Sequence, residues 1–143
     1  MPTTTPVLSD AIRAFLEQPH VASVASSDED GAPRQAVVWY RLDPDDRILL
    51  NSRTPRRWCE NLKRDPRVAL SVIDATDAYR WVGLTGVVDE IVDDAERARD
   101  DIVALAHRYR PEGPTAAAIA AFRSQPRVTF FVRITGVHDH LED

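Results

Sequence analysis

Apolar residues alternate with polar or small residues along several short stretches of the chain, and a period of two is typical of β-strands. The pattern predicts six strands, over residues 20–26, 34–42, 47–53, 66–73, 79–92 and 127–137. Turn clusters separate the first three strands, which are therefore expected to form an antiparallel meander. The second strand carries apolar side chains on both faces, so we expect it to be covered on both sides.

Four other stretches have the apolar spacing or the boundary residues of helices, at 10–18, 55–64, 93–110 and 115–124. Ser9 and Thr54 are suited to cap the first two helices, with Pro55 at the first position of the second. Asp93 and Glu96 have the spacing of a capping box for the third. Hairpin-linked strands with inserted helices predict a mainly β, α+β fold in which six strands close into an antiparallel barrel. We expect one domain over 1–143, with a flexible arm at 1–7 and a short tail at 138–143.

Composition narrows the class of protein. The chain has 143 residues, of which 43% are hydrophobic and 29% charged, as in ordinary globular domains. No apolar run approaches the roughly 18 residues that span a bilayer, and the first residues lack the basic start and apolar centre of a signal peptide. We therefore expect no membrane partner. A single cysteine excludes an internal disulfide and is typical of the reducing cytoplasm, where we expect the protein to be. The net charge of −5 argues against nucleic acid as a partner.

Basic residues are concentrated in one part of this acidic chain. Positions 47–67 hold seven basic and two acidic residues, and three arginines, Arg53, Arg56 and Arg57, surround the predicted start of the second helix. A helix N-terminus offers unpaired N–H donors and a partial positive charge. Such a start, with arginines around it, predicts a phosphate-binding site. The alternative is an ordinary helix start whose arginines are solvated or pair with Glu60 and Asp65.

Other candidate chemistry has less support in the sequence. Cys59 lacks the surroundings of a nucleophile, and serine-hydrolase elbows and Walker-type loops are missing. His138 and His140 have no third ligand nearby in the sequence, so no metal site is predicted, and no pattern identifies a catalytic group. Aromatic residues that could wall a flat ring lie on or beside strands: Trp39, Tyr40, Trp58, Tyr79 and Trp81. The anion site and these walls together suit a phosphate-bearing cofactor that lies across a barrel face.

The order of elements and several motifs resemble a known family. The matching segments are 9–10 with 14–16, 31–33, 43–44, 61–67, 80–86, 108–111 and 127–128, and the most distinctive is N-L-x-x-D-P-R at 61–67. They resemble the flavin and deazaflavin oxidoreductases of the pyridoxamine-phosphate-oxidase-like split-barrel superfamily. In particular, they resemble its actinobacterial branch that uses coenzyme F420 and includes deazaflavin-dependent biliverdin reductases.

The resemblance implies a homodimer of split β-barrels with two cofactor sites at the subunit interface. It implies coenzyme F420, with FMN as the alternative, and hydride transfer from C5 of the reduced deazaflavin to a small unsaturated or heteroaromatic substrate. Strand two and the end of strand three would line the ring, the arginines would hold the phosphate tail, and 79–81 would wall the site from the other subunit. The cofactor-binding residues so implied are Gln35, Val37, Val38, Leu50, Asn51, Ser52, Arg53, Arg56, Arg57, Trp58, Asn61, Tyr79, Arg80 and Trp81.

Trp58 departs from the family pattern. Members that bind the deazaflavin usually carry a lysine at this position, three residues before Asn61, and the only lysine of this chain is Lys63. Arg56 or Arg57 could supply the charge, although arginine places it differently. Three hypotheses are therefore held together: an F420-dependent reductase, an FMN-binding oxidoreductase of the same fold, and a non-enzymatic ligand-binding protein on the same barrel.

Overall fold

The computed structural model describes residues 6–142, and so excludes residues 1–5 of the expected arm. The strands are β1 (Val21–Ser27), β2 (Pro33–Val38), β3 (Tyr40–Leu42), β4 (Arg47–Arg53), β5 (Arg67–Ile73), β6 (Trp81–Asp93) and β7 (Arg127–His140). The helices are α1 (Asp10–Leu16), α2 (Arg57–Arg64), α3 (Glu96–Tyr109) and α4 (Ala116–Arg123). The predicted mainly β fold with four helices is confirmed. None of the helices in the described part is both long and apolar enough to cross a membrane.

The prediction of a closed six-stranded barrel is wrong. The described strands form one seven-stranded antiparallel sheet in the order β2-β1-β5-β6-β7-β4-β3. The predicted second strand is divided at Trp39 into β2 and β3, which lie at opposite edges of this sheet. Because a single residue joins them, the two edges of the sheet come close at Trp39, but β2 and β3 do not pair with each other in the described part of the chain, so the sheet is open. We call this region around Trp39, where the two edges of the sheet come close, the seam.

Side chains from α3 account for the division at Trp39. The hydroxyl of Tyr109 accepts a hydrogen bond from the Tyr40 N–H at 3.2 Å and donates one to the His20 carbonyl at 2.5 Å. Arg108 Nε donates to the Tyr40 carbonyl at 3.0 Å. These contacts hold the chain where β2 ends and β3 begins, so that one continuous apolar run pairs with β1 on one side and β4 on the other.

The second helix begins two residues later than predicted. Thr54 does not cap it, because it lies two residues before the N-cap position. The Thr54 N–H donates to the Pro126 carbonyl at 2.9 Å, which extends the pairing of β4 with β7. Arg56 is the N-cap residue instead, and its side chain makes no capping hydrogen bond. The first turn of α2 is therefore left without a side-chain cap.

Two further boundaries differ from the sequence prediction. Asp93 does not open α3, because it is the last residue of β6 and pairs with Val128. β7 continues past the predicted end at residue 137 to His140, which pairs with Trp81. The Ser9 cap is confirmed, since its hydroxyl accepts from the Ile12 N–H at 3.2 Å.

β4 separates two hydrophobic clusters. Ile48 and Leu50 belong to the main cluster enclosed by the sheet and α1, whereas Leu49 belongs to a second cluster with Ile102 of α3 and Phe131 of β7. Successive residues of a strand point to opposite faces, so β4 is buried on both. The expected coverage of the predicted second strand is only partial, because Trp39 packs on the second cluster but Val37 is 75% exposed.

Candidate functional site

A cavity of about 260 Å³ opens at the seam. It draws residues from the edge strand β2, from β1, β4 and β7, and from the helices α2 and α3. Its lining comprises Val21, Val37, Val38, Trp39, Asn51, Ser52, Arg56, Trp58, Ile102 and Arg127. The cavity therefore has a cationic end, where β4, α2 and β7 meet, and an apolar end formed by β2, Trp39 and α3.

The predicted arginine cluster is divided between two surfaces. Arg56 lines the cavity, and neither its guanidinium nor that of Arg53 makes a hydrogen bond or an ion pair within residues 6–142. Arg57 turns the other way, and its Nη1 lies 3.9 Å from a carboxylate oxygen of Asp28 in a separate surface pocket. The structure therefore places Arg56, but not Arg57, at the cavity.

Arg127 is a buried cation in the cavity wall. The side chain is 8% exposed, Nη2 donates to Gln125 Oε1 at 2.5 Å, and Nη1 donates to Asn51 Oδ1 at 3.4 Å. Its Nε is buried and has no acceptor within the described part of the chain. Burial, and after it the neighbouring charges of Arg56 and Arg53, together lower the pKa of Arg127 to about 10. An anion at this end of the cavity would offset both effects.

Strand register explains why these cations lie together. Arg53 at the end of β4 pairs directly with Arg127 at the start of β7. Like charges directly opposite each other on neighbouring strands are destabilising. An anion bound beside the two arginines would therefore reduce the repulsion between them.

The predicted residues on β4 have three different environments. Asn51 is buried and donates both amide hydrogens internally, to the Ala98 carbonyl at 2.8 Å and to Thr129 Oγ1 at 2.9 Å. Its oxygen faces Arg127, so Asn51 orients that guanidinium. Ser52 is buried at the cavity wall, whereas the Leu50 side chain lies wholly in the main hydrophobic cluster.

Trp58 closes the base of the cavity. Its side chain is 5% exposed and belongs to the main hydrophobic cluster, with its ring centre 5.8 Å from that of Phe130. The position at which the family resemblance implied a lysine is thus a packed aromatic wall in this chain. The charge at the cavity comes from Arg56 and Arg127.

Asn61 and Gln35 do not line the cavity. Asn61 is buried and donates to Ser26 Oγ at 3.1 Å and to Asp28 Oδ1 at 2.8 Å, which ties α2 to the loop after β1. Hydrogen bonds from Arg34 and then from Asn61 lower the pKa of Asp28 to about 2. Gln35 is exposed on β2.

The segment 79–81 lies outside the cavity of its own chain. Tyr79 is 76% exposed, and Arg80 pairs with Asp74 at 2.5 Å. Trp81 packs against the imidazoles of His138 and His140, with ring centres 5.0 and 5.4 Å away. The contribution of 79–81 to a site on another subunit stays a prediction.

Sequence reasoning did not include Trp39, Ile102, Val21 or Arg127 in the site. Trp39 had been noted only as one of several aromatic walls, and Arg127 only as part of a family motif. These residues reach the cavity only in the folded chain, through strand pairing or through the packing of α3 on β4, so their spacing in the sequence does not reveal them.

The side chains at the cavity can bind a ligand and supply positive charge. Its ionisable lining residues are Arg56 and Arg127. Cys59 is buried behind them, and burial raises the pKa of its thiol to about 11, so it stays protonated. Within residues 6–142 no three metal-ligating side chains come together. The site can fix an anionic, partly flat molecule, and reactive chemistry has to come from that molecule.

Comparison with known protein families matches residues 8–138 to the family described as Pyridoxamine 5'-phosphate oxidase. The chain belongs to this family. A member at 30% identity over 114 residues is the F420H(2)-dependent biliverdin reductase of Mycobacterium tuberculosis (strain CDC 1551 / Oshkosh). The match covers 80% of this chain and 81% of that protein. The resemblance inferred from the sequence motifs is therefore confirmed.

Solved structures of other proteins have a similar fold. A structure described as F420 Reductase is 29% identical, with a TM-score of 0.77, and the match covers 92% of this chain and 98% of that one. The conserved hypothetical protein Rv2991 from Mycobacterium tuberculosis is 26% identical, with a TM-score of 0.73 and coverage of 95% and 88%. HutZ, described as the heme storage protein from Vibrio cholerae, is 18% identical with a TM-score of 0.68 over 92% and 94%, a likeness of fold alone.

Proposed function

We propose that this family member is an oxidoreductase that binds coenzyme F420 and transfers hydride between it and a small unsaturated or heteroaromatic substrate. The observation that carries the proposal is the cationic end of the seam cavity, where Arg56 has no side-chain partner among residues 6–142 and Arg127 is buried beside two other arginines. An oxidoreductase with a phosphate-bearing cofactor requires such an end. The similarity to an F420H(2)-dependent reductase supports the choice of the deazaflavin.

The residues present fit this cofactor. Arg56, Arg127 and the uncapped first turn of α2 would hold the phosphate, because each offers N–H donors and positive charge. Val37 and Val38 would lie along the ring, and Asn51 would keep Arg127 in place. The hydride chemistry at C5 belongs to the deazaflavin itself. The chain binds and orients the reactants and keeps water from the ring with the apolar end of the cavity.

We propose further that the protein is a homodimer whose second copy completes each site. A cavity of about 260 Å³ holds only part of a cofactor of this size. Exposed apolar side chains at Val21, Val37 and Tyr79 are available to a second copy. A dimer would bring 79–81 of one chain to the seam of the other. Sedimentation at micromolar concentration tests this, and a monomer under all conditions would contradict it.

Two adjacent arginines provide a matched test of the cofactor site. Arg56→Ala should weaken F420 binding by about ten- to a hundredfold, since it removes one charge-assisted donor. Arg57→Ala removes the same charge one residue away, on the side that faces Asp28, and should change affinity by less than about threefold. Titration followed by deazaflavin fluorescence measures both. Equal losses in the two variants, or no binding by the wild type at tens of micromolar, would contradict the proposal.

The FMN alternative uses the same cationic end, since FMN also carries a phosphate. Purified protein with the absorption spectrum of a bound flavin would favour FMN over F420. Absence of a flavin spectrum together with tight F420 binding would exclude it.

Trp58 favours a second candidate function, ligand binding without turnover. An aromatic wall at the position of the family lysine could hold a flat ligand by packing alone. F420 binding without reduction of any offered acceptor would support this candidate. Steady turnover would exclude it.

A further inference from the structure

A chain of hydrogen bonds runs from the buried Arg127 to a carboxylate on α3. Arg127 Nη1 donates to Asn51 Oδ1 at 3.4 Å, and Asn51 Nδ2 donates to Thr129 Oγ1 at 2.9 Å. The Thr129 hydroxyl in turn donates to Asp101 Oδ2 at 2.8 Å. Two neutral side chains therefore connect the cation in the cavity wall to a carboxylate that does not line the cavity.

Strand register and the packing of α3 produce this chain of hydrogen bonds. Asn51 of β4 pairs directly with Thr129 of β7. Residues two apart in a strand share a face, so Thr129 lies on the same face of β7 as Arg127. The helix α3 packs over that face and supplies Asp101. Thr129 is fully buried, so the middle of the chain of hydrogen bonds is shielded from water.

The direction of each hydrogen bond is fixed by its partners. The Ala98 carbonyl accepts from the Asn51 amide nitrogen at 2.8 Å, and a carbonyl cannot donate, so the amide oxygen faces Arg127. An ionised carboxylate only accepts, so the Thr129 hydroxyl donates to Asp101 and keeps its lone pairs for Asn51. All the donors therefore point away from the cation, an arrangement in which each hydrogen bond polarises the next.

These contacts hold the Arg127 guanidinium without neutralising its charge. Its two acceptors, Asn51 Oδ1 and Gln125 Oε1, are both neutral, and none of the described carboxylates lies within ion-pair distance of it. A carboxylate in direct contact would compensate the positive charge and compete with an anionic ligand. The buried Nε has no acceptor within residues 6–142. One donor and the charge therefore remain available to an anion.

We propose that Thr129 and Asp101 are positioning residues for the cationic end of the cavity. Acting through Asn51, they fix the orientation of the Arg127 guanidinium and so increase the affinity for an anion, because a group that is already oriented loses little freedom on binding. Neither residue lines the cavity. The inference rests on the proposed function where the anion is the phosphate of F420, whereas the orientation of Arg127 requires no cofactor.

A double-mutant cycle separates positioning from a general loss of stability. Thr129→Val keeps the shape of the side chain but removes the hydroxyl, and should weaken F420 binding about fivefold or more. In the Arg127→Leu background the same change should alter affinity by less than about twofold, because the guanidinium that it positions is absent. Thr129→Ser keeps the hydroxyl and should bind within about twofold of the wild type. Titration followed by deazaflavin fluorescence measures all four variants.

Two neighbouring carboxylates on α3 provide a matched comparison. Asp101→Ala should weaken F420 binding about threefold, since the Thr129 hydroxyl loses its acceptor. A carboxylate that acted by charge alone would repel an anion, so its removal would strengthen binding instead. Asp100→Ala removes the same charge one residue away, from a carboxylate that pairs with Arg123 at 3.0 Å. It should change affinity by less than about 1.5-fold.

Two outcomes of these titrations would overturn the proposal. One is an additive cycle, in which Thr129→Val costs the same factor in affinity with and without Arg127. The other is tighter F420 binding by Asp101→Ala. If Thr129→Val fails to fold, Asp101→Ala takes its place in the cycle with Arg127→Leu.

A titration with inorganic phosphate tests the same positioning without cofactor. The nuclear magnetic resonance signal of the Arg127 Nε–H, assigned by its loss in Arg127→Leu, should shift as phosphate binds to the ¹⁵N-labelled full chain. Thr129→Val should need about fivefold more phosphate for the same shift. This result without F420 binding would leave the positioning residues standing and contradict the proposed cofactor. F420 binding with equal phosphate affinity in the wild type and Thr129→Val would contradict the positioning alone.

Discussion

Two arginines at opposite ends of the seam use their guanidinium groups in opposite ways. Arg108, at the end of α3, donates to four backbone carbonyls, those of Leu16, Glu17, Gln18 and Tyr40, at 2.7–3.1 Å. Arg127, at the start of β7, is more deeply buried but has one long hydrogen bond, one short one and an unused Nε. The first ties the last turn of α1 and the start of β3 to α3. Arg127 keeps one hydrogen-bond donor, Nε, that has no acceptor in the described part of the chain.

The groups that surround the guanidiniums of Arg108 and Arg127 also differ. The carbonyls around Arg108 satisfy both its donors and its charge, and the aromatic rings of Tyr40 and Tyr109 lie within 5.2 and 5.6 Å of its guanidinium. Arg127 is opposed by Arg53 and approached by Arg56. Arg108 is thus surrounded by acceptors, whereas Arg127 has two acceptors, lies 5.1 Å from the centre of the Phe122 ring and has two other cations beside it.

Removing the structural arginine should produce the largest loss of stability. Arg108→Ala removes a charged donor from four carbonyls near the seam, and only tyrosine hydroxyls remain close to three of them. The free energy of unfolding should therefore fall by about 3 kcal/mol. Urea unfolding followed by tryptophan fluorescence measures the change. Arg108→Lys, which keeps the charge but cannot reach all four carbonyls, should recover only part of it. Full stability of Arg108→Ala would contradict the structural role.

Removing the second arginine should separate binding from stability. Arg127→Leu deletes a buried cation among cations, so the free energy of unfolding should change by less than about 1 kcal/mol. F420 affinity should nevertheless fall about thirtyfold or more, since a charge-assisted donor is lost. Unfolding and fluorescence titration on the same variant measure the two effects. A large stability loss with unchanged F420 affinity would show instead that Arg127 stabilises the fold and does not bind the cofactor.

A smaller effect is the pH dependence of the free energy of unfolding, to which His20 contributes near Arg108. His20 is buried, its Nδ1 accepts from the Ala75 N–H at 3.1 Å, and burial lowers its pKa. The folded state therefore resists protonation more than the unfolded chain, whose histidine titrates near pH ~6.5. This contribution to stability is complete above that pH and is lost as the pH falls below it, by at most about 1.4 kcal/mol per pH unit.

His20→Gln should flatten that pH dependence between about pH 6.5 and 5. His107→Gln, which alters an exposed histidine on α3, is the control and should leave it unchanged. Thermal unfolding at each pH provides the measurement. An identical slope in wild type and His20→Gln would assign the acid sensitivity to other groups.

Local sequence patterns predicted most of the secondary structure but only part of the site. The period of two located the strands, and the basic island located the end of the cavity that Arg56 lines. The break at Trp39 could not be predicted, because it depends on Arg108 and Tyr109, which lie about seventy positions further along the chain. A strand with apolar residues on both faces gives no local reason to break.

The place of Arg127 depended on register, which local patterns do not reveal. Its pairing with Arg53 joins strands far apart in the chain. The direction of Arg57 depended on a two-residue shift in the start of α2, set by the bond between Thr54 and Pro126. In each instance a distant backbone contact decided where a locally visible side chain points.

The single residue between β2 and β3 also limits how this fold can vary. An extra residue next to Trp39 would shift one edge strand by one position relative to its partner. Because side chains alternate in strands, every inward residue of that edge would then face outward. Loops on the far side of the sheet can lengthen without this consequence. In homologues the number of residues between the two edges should therefore remain constant.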